Sequence, residues 1–155
     1  MRKTTSAILA LCALAAVTGR ADDPEPLAGE KAELAKLEGT WVVTKAIWGK
    51  REARSTPATT YSFDADRLVV VVPPPRGEGK QTFKVKLDTK KTPYRYTLTP
   101  DGGGKAQSGV YKFEKGLLYL ARRRGGDATD FEGNGRNVEV LVMKKEKPKE
   151  KKAKE

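Results

Sequence analysis

Three adjacent arginines carry the sharpest chemistry in this chain. Arg122, Arg123 and Arg124 run into Gly125 and Gly126. Guanidiniums present rigid forks of N–H donors that match a sulfate, phosphate or carboxylate, so the run is a candidate anion site. It also reads as a solvated strand end whose charges are balanced by Asp127 and Asp130. Carboxylate pairs are the only other acid–base chemistry on offer. Asp64 and Asp66 share a tight turn, and Asp127, Asp130 and Glu132 share a glycine-rich loop. Both groups read first as turn chemistry and solvated loop charge. The second has acidic spacing but not the ligand order of a calcium loop.

Composition closes most other routes. The chain has 155 residues, no His and one Cys, with a net charge of +11. Without His there is no Ser-His-Asp triad, no Cys-His dyad and no imidazole-ligated zinc. One Cys makes neither an internal disulfide nor a thiolate cluster. Ser55, Ser62 and Ser108 lack any nucleophile-elbow context, and no glycine-rich phosphate loop precedes a helix. The reading is a non-enzyme with no cofactor and no metal.

The ends carry most of the charge. Arg2 and Lys3 precede an apolar run of eleven residues, Ala7 to Val17, and Gly19-Arg20-Ala21 puts small residues at −3 and −1 of a cut. This is the layout of an export signal over residues 1–21, and the run is too short to span a bilayer. Lipidation at Cys12 is disfavoured because Leu11 precedes it within the apolar run. The protein is therefore expected to be periplasmic or secreted. At the other end, residues 144–155 hold seven Lys and three Glu with Pro148 and no large apolar residue, which predicts a disordered tail. Removing +3 for the signal and +4 for the tail leaves +4 for residues 22–143. The tail reads as a solubilising appendage or as a tether for anionic polymers; nucleic acid is not an expected partner of an exported protein.

The arginines must be held by the elements between these ends. Ala28 to Leu37 predicts one short helix with Ala32, Leu34, Ala35 and Leu37 on its apolar face, ended by Gly39. The apolar period then switches to two. Eight strands are expected: Thr40–Trp48, Thr59–Phe63, Arg67–Val72, Gln81–Leu87, Tyr94–Leu98, Gly109–Phe113, Leu117–Arg122 and Val138–Met143. Phe83, Val85 and Leu87 alternate with Lys84 and Lys86, the mark of an antiparallel sheet with one wet face. Short connections favour up-and-down order, and eight such strands close into a small barrel without free edges. A two-sheet sandwich is the alternative. The Val69 to Val72 run predicts a cover over the outer face of its strand.

Leu37-Glu38-Gly39-Thr40-Trp41 opens the first strand. Tyr61-Ser62-Phe63-Asp64-Ala65-Asp66-Arg67, then Gly109-Val110-Tyr111 through Gly116-Leu117-Leu118-Tyr119-Leu120, then Asp130-Phe131 with Val138 to Lys144, follow in order. Together these resemble an uncharacterised lipocalin-like domain family of planctomycetes, over about residues 30 to 146. The resemblance implies an exported, lipocalin-like, eight-stranded antiparallel barrel with one N-terminal helix, and implies no activity. It also implies that Trp41 plugs one barrel end beneath a late basic residue, where Lys144 or Lys145 stands in place of Arg.

Trp41 reads as core or as pocket lining. Regular alternation points Trp48 the opposite way, to a rim or the surface, unless a bulge intervenes. Trp41, Phe83, Tyr96, Tyr111 and Tyr119 are candidate lining residues if the barrel holds a ligand, and packing residues if it is filled. Phe113 belongs with them. The expected function is a binding or interaction module of the cell envelope. Its ligand is either a small apolar molecule in the barrel or an anionic polymer met by Arg122 to Arg124 and the tail. A packed structural domain and a carboxylate-dependent glycan-acting enzyme are the alternatives. The export reading predicts that the exported protein starts near Asp22 and contains no Cys. Intact-mass measurement checks this, and a mass retaining residues 1–21 would overturn it.

Overall fold

Alternation of apolar and polar residues sets the strands, and closure of the first on the last sets the shape. The computed structural model describes residues 28–49, 51–53, 58–74, 79–132 and 137–147. The expected signal and most of the expected tail lie outside the described residues. Among the described residues, helix α1 (Ala28–Leu37) precedes nine strands: β1 (Gly39–Trp48), β2 (Arg51–Glu52), β3 (Thr60–Asp64), β4 (Arg67–Val72), β5 (Gly79–Asp88), β6 (Tyr94–Pro100), β7 (Gln107–Glu114), β8 (Leu117–Arg123) and β9 (Val138–Lys145). Every strand pairing is antiparallel, and β3 to β9 follow chain order. β1 pairs with β3 through Gly39–Val42 and with β9 through Trp41–Trp48. The result is a closed eight-stranded barrel, with β2 as an extra two-residue strand on the end of β1. No helix among the described residues is long and apolar enough to cross a membrane.

The α1 end of the barrel is shut. The Trp41 indole N–H donates to the Leu37 carbonyl (2.7 Å), tying the helix to the first strand. Trp41 also packs on Phe113, and Phe113 on Tyr111, with ring centroids 5.9 and 6.1 Å apart. Lys145, not Lys144, lies over the indole, its ammonium 5.4 Å from the ring centroid. The Lys145 chain passes so close to Gly39 that a Cβ there would stand 2.9 Å from Cε, and Gly39 has φ of +110°. β9 thus continues two residues into the stretch expected as tail.

The helix buries a different stripe from the one its alanines suggest. Leu34 and Leu37 are buried, but so is Glu33, while Ala32 and Ala35 are exposed. The reason is that α1 covers a barrel rim with polar groups to satisfy. Glu30 accepts from the Leu87 backbone N–H (3.0 Å), and Glu33 accepts from the Tyr111 hydroxyl (3.4 Å) and from Lys36. A helix packed on strand ends must bring acceptors with it.

β9 is buried on both faces. Leu141 and Met143 point into the barrel. Val138 and Val140 point outward, where Val110, Ala121 and Ala128 join them beneath Phe131. The chain after β8 therefore folds back over the outside of the barrel. The valine run of β4 has no such cover among the described residues. Val71 is exposed, and its strand needs only Leu68, Val70 and Val72 on the inner face.

Gly109 is where the interior is tightest. It lies between Tyr96 on β6 and Arg122 on β8. The Tyr96 ring crosses it, and the hydroxyl donates to the Ala121 carbonyl (3.1 Å). A Cβ at 109 would stand 2.1 Å from that carbonyl oxygen and 2.6 Å from the Tyr96 hydroxyl. Gly109→Ala is expected to cost about 3 kcal/mol, the upper part of the usual range for overpacking. Urea denaturation checks this; an unchanged midpoint would refute the crossing.

Candidate functional site

Below its mouth the barrel interior formed by the described residues holds almost no free space. The void walled by Leu37, Leu68, Tyr96 and Tyr111 measures about 10 Å³, at most room for one water. Trp41, Phe83, Tyr96 and Tyr111 all face the interior and are buried there as packing residues. Tyr119 does not join them. It alternates with the inward Leu118 and Leu120, so it lies on the outer face, where the Lys112 ammonium sits 5.1 Å from both the Tyr119 and Phe131 rings. The five expected lining residues are therefore not gathered around one cavity.

The open space is at the other end. A half-open cleft of about 530 Å³ occupies the barrel mouth. Its floor is a cross-strand row in which Trp48, Glu139 and Arg122 are neighbours by register. Trp48 reaches this row because a β-bulge interrupts β1 between Val43 and Lys45. An added residue reverses the face that later side chains take, so Ala46 and Trp48 point to the side of Trp41 and Val43. Trp48 remains 41% exposed at the rim.

Arg122 and Glu139 form the charged floor. The Arg122 Nε donates to Glu139 Oε2. The Glu139 side chain is only 9% exposed, against 44% for Arg122. Burial pulls the Arg122 guanidinium down, but Tyr61, the Glu139 carboxylate and Tyr96 outweigh it and raise its pKa. It is a permanent cation. Asp127 and Asp130 do not pair with it: Asp130 accepts from the Glu132 backbone N–H (3.0 Å), and Asp127 lines the cleft.

The other two arginines stand at the rim. Arg123 forms a backbone bridge to Gly126, and the Arg124 N–H donates to the Asn137 carbonyl (2.9 Å). Gly125, with φ of +83°, makes the reversal between them. All three arginines line the cleft, together with Lys105, Gln107, Asp127 and Asn137. Lys105, Arg123 and Arg124 have no ion pair among the described residues. Among the described residues the cleft thus has four cations against two carboxylates, and the floor pair consumes one of each.

Sequence reasoning located the arginines but missed Glu139, Lys105 and the inward turn of Trp48. A signal for Glu139 existed. It is the one acid in Val138-Glu139-Val140-Leu141-Val142-Met143, and it takes the parity of the inward Leu141. Arg122 likewise keeps the parity of Leu118 and Leu120. Comparison with protein-family models, curated proteins and solved structures finds no match to this chain.

Burial raises the phenol pKa of Tyr61, Tyr96 and Tyr111 above the usual value of about 10. Neighbouring Glu33 adds to the rise at Tyr111. The unfolded chain releases these protons first. The stability they contribute is complete below about pH 10 and falls as pH rises beyond it, by up to about 1.4 kcal/mol per pH unit for each phenol. Denaturation midpoints from pH 8 to 11.5 should fall above pH 10, and less steeply for Tyr96→Phe. Equal slopes for the two proteins would contradict this.

Proposed function

We propose that the protein is an exported, non-catalytic binding module whose site is the mouth cleft and whose ligand presents an anionic group. One observation carries the reading: Lys105, Arg123 and Arg124 surround a cleft of about 530 Å³ without ion-pair partners among the described residues. Cations left unpaired around a concavity are available to an incoming sulfate, phosphate or carboxylate. A small apolar ligand deep in the barrel is disfavoured, because the interior void is about 10 Å³. Export rests on the sequence of residues 1–21, and the lipocalin-like assignment on the resemblance of the strand motifs.

A packed structural domain is the second reading, and the filled interior favours it. Inorganic sulfate separates the two. The binding module should take up sulfate in isothermal titration, more weakly as salt rises. The double variant R123Q/R124Q should lose at least about tenfold, since charge-assisted hydrogen bonds contribute roughly 1.5–3 kcal/mol each. Lys86→Gln, on the outer face of β5, should change nothing. A protein that binds no sulfate at all would favour the structural reading.

A further inference from the structure

We infer that the cleft recognises an anionic saccharide, with a sugar ring on Trp48 and its acid group at Arg123 and Arg124. This deepens the anion-binding reading and rests on it. The inference starts from the indole. Among the described residues Trp48 is the largest apolar side chain of the mouth, 41% exposed in a cleft lined otherwise by charged, polar and small residues. It is not a misplaced core residue. The β-bulge between Val43 and Lys45 turns it inward, and it stands in register beside Glu139. A bare anion has no use for such a surface.

The remaining lining narrows the ligand. An indole face suits a ligand that is flat and apolar on one side and polar at its edge. A pyranose ring has that form: C–H groups on its face and hydroxyls around its rim. Gln107 and Asn137 offer amide donors and acceptors in the same cleft, the groups that hold hydroxyls. Asp127 stands there too. A carboxylate accepts from hydroxyls but repels a ligand that is only charge. A fatty acid would need an apolar shaft below the mouth, and the packed core leaves none. A volume of about 530 Å³ lies within the usual range for small-molecule sites, and admits a short oligosaccharide end rather than a polymer laid along its length.

The test uses four probes on the full chain: trigalacturonate, a sulfated disaccharide, neutral maltotriose and adenosine monophosphate. Inorganic sulfate is the reference. At least one anionic saccharide should bind about tenfold or more tighter than sulfate and shift the indole fluorescence. Trp48 should carry the shift, because Trp41 is buried at the helix end and does not line the cleft. Maltotriose should bind weakly. Trp48→Ala should lose the tenfold margin while keeping sulfate affinity, and R123Q/R124Q should lose both. Trp48→Leu, which keeps apolar bulk, guards against an unfolded variant and should behave as Trp48→Ala does. Sulfate bound as tightly as every saccharide would overturn the saccharide assignment and leave the anion site standing. A nucleotide preferred over both acidic sugars would also overturn it. No binding of any anion would overturn both readings. Release of reducing ends from trigalacturonate would overturn the non-catalytic reading.

Discussion

The fold depends on one strand satisfying two partners. β1 gives its first four residues to β3 and nearly its whole length to β9. Without that double pairing, β3 and β9 would each present an unpaired edge, which is an invitation to aggregate. Regular extended backbone would hold the register but send the later side chains of β1 to the wrong face. The bulge before Lys45 resolves this, and the Thr44 hydroxyl, freed there, donates to the Val142 carbonyl (3.0 Å). Closure and the position of Trp48 therefore have a single cause. A change at the bulge would disturb both together.

The interior is not uniform. At the helix end Trp41 and Tyr111 each pack on Phe113. Elsewhere aromatic and aliphatic side chains mix, with the fully buried Leu68 between Phe63 and Phe83 by register. At the mouth it becomes ionic. Such a pair sits best where water reaches one partner, because burying both charges costs several kcal/mol. Arg122 meets that condition, and Glu139 relies on it. Among the described residues no buried side-chain polar atom lacks a hydrogen-bond partner. The polar groups of the interior thus belong to the design of the core as much as the leucines do.

The strands were legible because a half-buried antiparallel sheet writes its period directly into the chain. Phe83, Val85 and Leu87 face inward as their alternation predicts. The turn at Lys115-Gly116 was equally readable, and both residues have positive φ. What could not be read depended on geometry beyond the period. A bulge leaves no mark in composition, so Trp48 was assigned by counting and came out on the opposite face. Glu30 and the buried Glu33 of α1 answer to Leu87 and Tyr111, more than fifty residues away. The floor of the cleft needs two strands in register before Arg122 and Glu139 meet. Of the site, only the arginine run was visible. Its chemistry is local, whereas its surroundings are assembled from three other stretches of chain.

The helix end of the barrel also collects both ends of the described chain. Ala28 begins the helix that covers it, and the backbone beyond β9 is fixed there by the Glu146 N–H donating to the Thr40 carbonyl (2.8 Å). The cleft lies at the opposite pole. Ala28 and Lys147 therefore both lie on the side away from the mouth. Fastening the described domain at either of these two residues to a wall, a membrane or a larger assembly would leave its open face turned toward the surrounding fluid.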